Sequence, residues 1–182
     1  MAKNLNIGIR ITDTLLMTDN GVIEKYCYEG DTTNCKIFGG LYAWDEAMQY
    51  KSEEGSRGIC PEGWHIPTNR EFVDLFLYAD NDHGYLIGNQ DSLWIDKGYS
   101  ENLNLSGFSA LPAGESSLYY VTDINKKNSY FGLKDYTVFW CSKASVNSAV
   151  SFLIGIPSRP LEDGLNFDKQ NHGFSIRCIK DE

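Results

Sequence analysis

The sequence is short of the residue patterns that announce chemistry. It holds three histidines and no CxxC pair, so a zinc site is not expected. No apolar run approaches membrane-spanning length, which excludes a transmembrane helix. Basic residues are outnumbered: 16 Lys and Arg face 25 Asp and Glu, for a formal net charge of -9. A nucleic-acid partner needs a basic face to neutralise phosphates, so none is expected here. No nucleophile-elbow spacing links the Ser, Asp and His residues. No charged-then-apolar leader precedes the first strand-like segment, and residues 14–17 are too short to serve as one. The sequence also lacks internal repeats and low-complexity tracts.

What is present suits one folded domain over residues 1–182. Hydrophobic residues make up 42% and aromatics 13%, enough for a substantial core, while 17 glycines point to many turns and few long helices. The five cysteines (Cys27, Cys35, Cys60, Cys141 and Cys178) are an odd number. Two disulfides and one thiol account for them and imply an oxidising compartment, with export by a leader outside this chain or by another route.

Residues 4–17 alternate well enough for one or two strands, and residues 22–28 for another. The polar stretch between Cys27 and Cys35 reads as a loop that a local disulfide could close. Residues 41–52 predict a helix with Leu41, Trp44, Ala47 and Met48 on its buried face. A second helix begins at Thr68, where Thr68 and Glu71 have capping-box spacing, and runs to about Ala79 behind Phe72, Val73, Leu75 and Phe76. Residues 85–135 show no long periodic segment and must be pinned by their aromatics. Strands are expected over residues 137–140, 149–156 and 174–179. Early helices and strands at both ends predict an α+β fold whose termini share a sheet.

Several ordered motifs carry a resemblance. They are Met1-Ala2-Lys3-Asn4-Leu5-Asn6, Cys27-Tyr28 with Asn34-Cys35, Gly39-Gly40-Leu41-Tyr42-Ala43-Trp44 and Cys60-Pro61-Glu62-Gly63-Trp64-His65-Ile66-Pro67. Further on come Gly107-Phe108-Ser109-Ala110-Leu111-Pro112-Ala113-Gly114, Phe139-Trp140 and Gly173-Phe174-Ser175-Ile176-Arg177-Cys178. Together they resemble the Fibrobacter succinogenes major paralogous domain, a family of bacterial surface and secreted proteins. The resemblance implies a C-type lectin-like fold of the formylglycine-generating-enzyme branch, with two helices flanking a small twisted antiparallel sheet and long irregular loops. It implies the pairings Cys60–Cys178 and Cys27–Cys35 and leaves Cys141 as a buried free thiol. The family carries a Trp just before its Met-Ala pair, so the resemblance implies that this chain begins just inside the domain.

Enzymes of that branch need a pair of metal-binding cysteines, and one unpaired thiol does not supply it. Calcium-dependent sugar binding needs oxygen-ligand strings such as Glu-Pro-Asn and Trp-Asn-Asp, and neither occurs. Asp80-Asn81-Asp82 reads as a solvated helix end, and His65 as a packed, hydrogen-bonded side chain rather than a general base. No catalytic residue, metal or cofactor is therefore expected.

The resemblance instead places a contact surface in residues 142–172, just before the final motif. Candidate ligand-binding residues are Ser145, Asn147, Phe152, Ile154, Arg159, Asp163, Asn166, Asp168 and Asn171, with Tyr119, Tyr120 and Tyr130 as neighbours. Val150, Phe152, Ile154 and Ile156 share a strand face that reads first as core and second as an exposed apolar patch. Variable proteins of diversity-generating retroelements also resemble this fold and mutate this segment. The expected function is a monomeric, non-enzymatic module on a cell surface, outside the cell or on a virion, binding a protein or glycan. A formylglycine-generating-type enzyme and a structural subunit of a surface assembly are the alternatives.

Overall fold

The computed structural model describes residues 1, 3–88, 93–95, 104–118, 128–155 and 164–182. Among them are ten strands and three short helices. In chain order these are β1 (Ile9–Arg10), β2 (Glu24–Lys25), α1 (Thr32–Phe38), α2 (Trp44–Ala47), β3 (Trp64–His65) and α3 (Asn69–Tyr78). There follow β4 (Ala113–Ser117), β5 (Ser129–Leu133), β6 (Thr137–Ala144), β7 (Ser148–Ile154), β8 (Leu165–Asp168), β9 (His172–Gly173) and β10 (Ile179–Lys180).

One mixed sheet dominates, in the order β5-β4-β6-β7-β8, with β9 added alongside β4. β6 and β7 pair antiparallel, from Thr137 opposite Ile154 to Ala144 opposite Ala149, with a register irregularity between Trp140 and Ala144. β4 joins β6 in parallel at Gly114 opposite Thr137. Gly114 takes a positive φ of 65° there, and a Cβ would lie 2.3 Å from the Phe131 carbonyl oxygen. Only glycine fits that crossing.

β6 is buried on both faces because alternate side chains enter different cores. Val138 and Trp140 join Tyr42, Trp44, Met48, Ile66, Phe174 and Ile176. Phe139 and Cys141 join Phe72, Phe76, Leu86, Phe152 and Ile154. In the second core Phe72 stacks on Phe152 at 4.7 Å, and Phe76 meets Phe152 edge-on at 5.2 Å.

The α+β expectation, a C-type lectin-like fold with two helices flanking a small sheet, is corrected by this architecture, which is mostly β with three short helices. The helix expected over residues 41–52 contracts to α2, although Leu41, Trp44, Ala47 and Met48 are all buried as anticipated. Leu41 and Tyr42 are drawn into β-bridges with Tyr26 and Phe174, and Gln49 and Tyr50 adopt positive φ, so helix cannot extend either way. α1 occupies the stretch read as a polar loop; the Asp31 carboxylate caps it by accepting from the Thr33 N–H at 2.7 Å. Nor do the termini share a sheet: β1 pairs with β2 and β10 with β3. They are tied by single backbone bonds such as Leu5 N–H to the Ile176 carbonyl, 2.9 Å.

α3 begins as expected. The Thr68 hydroxyl accepts from the Glu71 N–H at 3.2 Å, and the Glu71 carboxylate accepts from the Thr68 N–H at 2.7 Å. Beside it the Arg177 guanidinium is buried and, among the described residues, pairs with no carboxylate. It donates to Asn4 Oδ1 and to the Phe108 and Ser109 carbonyls, and lies over the Phe108 ring. Burial pulls its pKa down to about 9.

Both disulfides form, Cys27–Cys35 and Cys60–Cys178, with Cys141 free and buried. They span 8 and 118 residues respectively. In the chain-entropy account, replacing Cys60 and Cys178 with Ser should lower the unfolding free energy by about 4–5 kcal/mol, and replacing Cys27 and Cys35 by about 2–3 kcal/mol. Urea denaturation of the two variants checks this; the reverse order would show that loop closure is not what the bridges supply.

Candidate functional site

The exposed end of the β6–β7 hairpin and the turn after β8 meet on one surface. At the hairpin tip the Ser145 N–H donates to the Ser148 carbonyl at 2.7 Å, and the two hydroxyls lie 2.8 Å apart. These bonds hold Val146 and Asn147 outward, and Val146 is 89% exposed. The neighbouring turn is closed by Asp168, whose Oδ1 accepts from the N–H groups of Gln170 and Asn171, each at 2.9 Å. A short side-chain oxygen that accepts from the amides two and three residues on is a turn device favoured by Asp and Asn. Lys169 N–H then donates to the Asn147 carbonyl at 3.4 Å and joins the two loops.

Trp44 anchors this surface from below. Its backbone N–H donates to the Lys169 carbonyl at 2.8 Å, and its indole N–H to the Cys141 carbonyl on β6 at 2.8 Å. The Lys169 ammonium sits 4.5 Å from the Trp44 ring centroid, a cation–π distance. Gln170 reaches Asp45 with an amide N–H to carboxylate bond of 3.2 Å. Trp44, through its backbone and indole N–H groups together, thus ties the turn, the tip's strand and the start of α2 to one another.

Of the nine candidate residues, Ser145, Asn147, Asp168 and Asn171 converge here. Asn166 is exposed on the edge strand β8, two residues before the turn. Phe152 and Ile154 are corrected to core: they are at most 1% exposed and lie within the second aromatic cluster, where no ligand reaches them. This is the first of the two readings of that strand face, core rather than exposed patch. Arg159, Asp163, Ile156, Tyr119 and Tyr120 lie outside the described residues. Tyr130 is on β5, at the far edge of the sheet from β8, where it packs on Tyr28 and donates to Asp13 at 2.6 Å. It is not a neighbour of this surface. Sequence reasoning missed Val146, Lys169, Gln170 and the anchoring role of Trp44. For Lys169 and Gln170 the signal was there, since both sit between two chosen turn residues.

Other candidate chemistry is sparse. Burial pushes the Cys141 thiol up to about 12, so it stays protonated. Burial also holds His172, packed edge-on against Phe167, below the ordinary imidazole range despite Asp168 nearby. Among the described residues no group of three His, Cys, Asp or Glu side chains is placed to hold a metal ion. Asp82 caps the short helical turn that follows α3, accepting from Gly84 N–H at 2.7 Å. A cleft of about 170 Å³ lies on another side, lined by Pro67, Phe72, Leu75, Phe108, Arg177 and Ile179, and includes none of the candidates. Among the described residues no helix is long and apolar enough to cross a membrane.

The sequence model of the Fibrobacter succinogenes major domain matches residues 1–180. No curated protein and no solved structure matches.

The anchoring role of Trp44 is testable. Trp44→Phe removes the indole donor and leaves the buried Cys141 carbonyl without it, so it should destabilise the fold by about 1–3 kcal/mol. Its amide shift changes should concentrate in residues 145–147 and 168–171. Stability and a spectrum indistinguishable from wild type would show that the indole is not the anchor.

Proposed function

The chain belongs to the Fibrobacter succinogenes major domain family, and from that premise we propose that it is a non-enzymatic binding module. Its contact surface is the hairpin tip and adjoining turn, formed by Ser145, Val146, Asn147, Asn166, Lys169, Gln170 and Asn171. The observation that carries this reading is the convergence of two exposed loops on one buried tryptophan. A surface that must bind is best held by groups locked beneath it. Its composition suits recognition: an exposed apolar tip, Ser and Asn for adaptable hydrogen bonds, and one lysine oriented by an aromatic ring. The ligand is a protein or glycan presented outside the cell. Two disulfides support an oxidising setting, either secreted or on a cell surface or virion.

The formylglycine-generating alternative is less well supported, because it requires two thiols in a cleft. Four cysteines are bridged and the fifth is buried. Diversification by a retroelement would have to act on exposed positions, and Ala149, Val150, Phe152 and Ile154 are core. Among the described residues that leaves the tip and the turn; a near-copy of that coding stretch beside a reverse transcriptase gene is its signature.

The wild-type protein should bind selected members of an array of glycans and purified bacterial surface proteins. Val146→Asp and Asn147→Lys should each weaken the binding at least about tenfold, roughly the loss of one interface contact of 1.4 kcal/mol. Neither should change the melting temperature. Binding unaltered by both variants would move the contact surface elsewhere, and thiol-dependent turnover would favour the enzyme.

A further inference from the structure

His65 stands between two carboxylates. Its Nδ1 is 2.7 Å from Asp181 Oδ1, and its Nε2 is 3.0 Å and 3.1 Å from the two Glu71 oxygens. A neutral imidazole has one N–H and one lone pair, so one ring nitrogen would then face an anion with no proton between them. Both contacts are attractive together only when the ring carries two protons. Glu71 comes from α3 and Asp181 from the segment after β10, and among the described residues no other carboxylate pairs with the ring. The surroundings act in the same direction: burial lowers the imidazole pKa, but hydrogen bonding and charge from Asp181 and Glu71 outweigh it and raise it.

The two carboxylates do not depend on the ring equally. Glu71 also accepts from the Thr68 N–H and hydroxyl at 2.7 and 2.8 Å. Among the described residues, the Asp181 side chain is held by His65 alone. The rest of that segment is secured by little: β10 pairs with β3 over two residues, and Asp181 N–H donates to the Gly63 carbonyl at 3.0 Å. Immediately upstream, Cys178 is fixed covalently to Cys60.

We propose that His65 is a proton-operated latch. Doubly protonated, it clamps residues 179–182 onto β3 and α3; on losing one proton it frees that segment as far as the Cys60–Cys178 bridge. Ile179 forms one wall of the cleft beside Phe72 and Arg177, so release widens that cleft.

The signs are fixed. A His raised by folding contributes stability fully below its ordinary value of about 6.5, and loses it as pH rises through the raised value. For Glu71, burial raises the pKa but the Thr68 and His65 bonds outweigh it and lower it, so its share is lost as pH falls through that lowered value. The latch is closed between the two.

An NMR titration of the intact, disulfide-bonded protein tests this through the assigned His65 Cε1–H signal and Ile179 methyl relaxation. His65 should titrate above about 6.5, with Ile179 gaining mobility over the same pH range. Asp181→Asn, at a half-exposed site that leaves the fold intact, should lower the His65 midpoint by about one unit and loosen Ile179 at every pH. A His65 midpoint at or below the ordinary value, or Ile179 motion that does not follow it, would overturn the proposal.

Discussion

Burial of β6 on both faces is the constraint from which the rest of the structure follows. Its side chains feed two cores, Val138 and Trp140 on one side and Phe139 and Cys141 on the other. Its polar groups then organise what surrounds it. The Trp140 indole N–H donates to the Tyr42 carbonyl, and the Cys141 carbonyl accepts from Trp44. Ser142 donates through its N–H and hydroxyl to the Pro67 carbonyl, while its oxygen accepts from Gly55 N–H. One strand therefore positions the lead-in to α3, the α2 turn and the segment joining them. Few orphaned polar groups are tolerated in so dry a place, which is why each of these bonds matters.

That arrangement separates scaffold from surface. Pro67, Thr68 and Glu71 give α3 a rigid start, and Cys60–Cys178 ties the stretch before it to the end of the chain. Trp44 bonds to Cys141 next to the Pro67–Ser142 contact, near the end of β6 from which residues 145–147 and 168–171 project. The side chains of Ser145, Asp168, Lys169 and Gln170 lock these loops in place, whereas those of Val146 and Asn147 are exposed. Such positions accept substitution at small cost, usually within about 0.5 kcal/mol, whereas the aromatic positions beneath do not. A binding module with a changeable face needs that division.

The legible parts of the sequence were those set by local chemistry. The Thr68–Glu71 capping box, the Phe72 and Phe76 stripe and the two bridges form as expected. Features decided by tertiary context were not legible. β4 is spelled Ala-Gly-Glu-Ser-Ser, with no strand propensity of its own, and exists because β5, β6 and β9 pair with it. The buried stripe of residues 41–48 has helical spacing, yet bridges at Leu41 and Tyr42 claim its first turn. At the site, turn chemistry exposed Asp168 and Asn171, and polar character exposed Ser145 and Asn147. The face of Phe152 and Ile154 read first as core, and it is; the apolar run could not say which core, because α3 and loops far away in the chain build it.

The central claim is that surface and scaffold are separable, and one measurement addresses it directly. Denaturant unfolding of the triple variant Val146→Asp, Asn147→Lys, Asn166→Lys should give an unfolding free energy within about 0.5 kcal/mol of wild type. A loss of about 2 kcal/mol or more would mean that these side chains belong to the scaffold, and the account of a rigid frame presenting an independent contact face would be wrong.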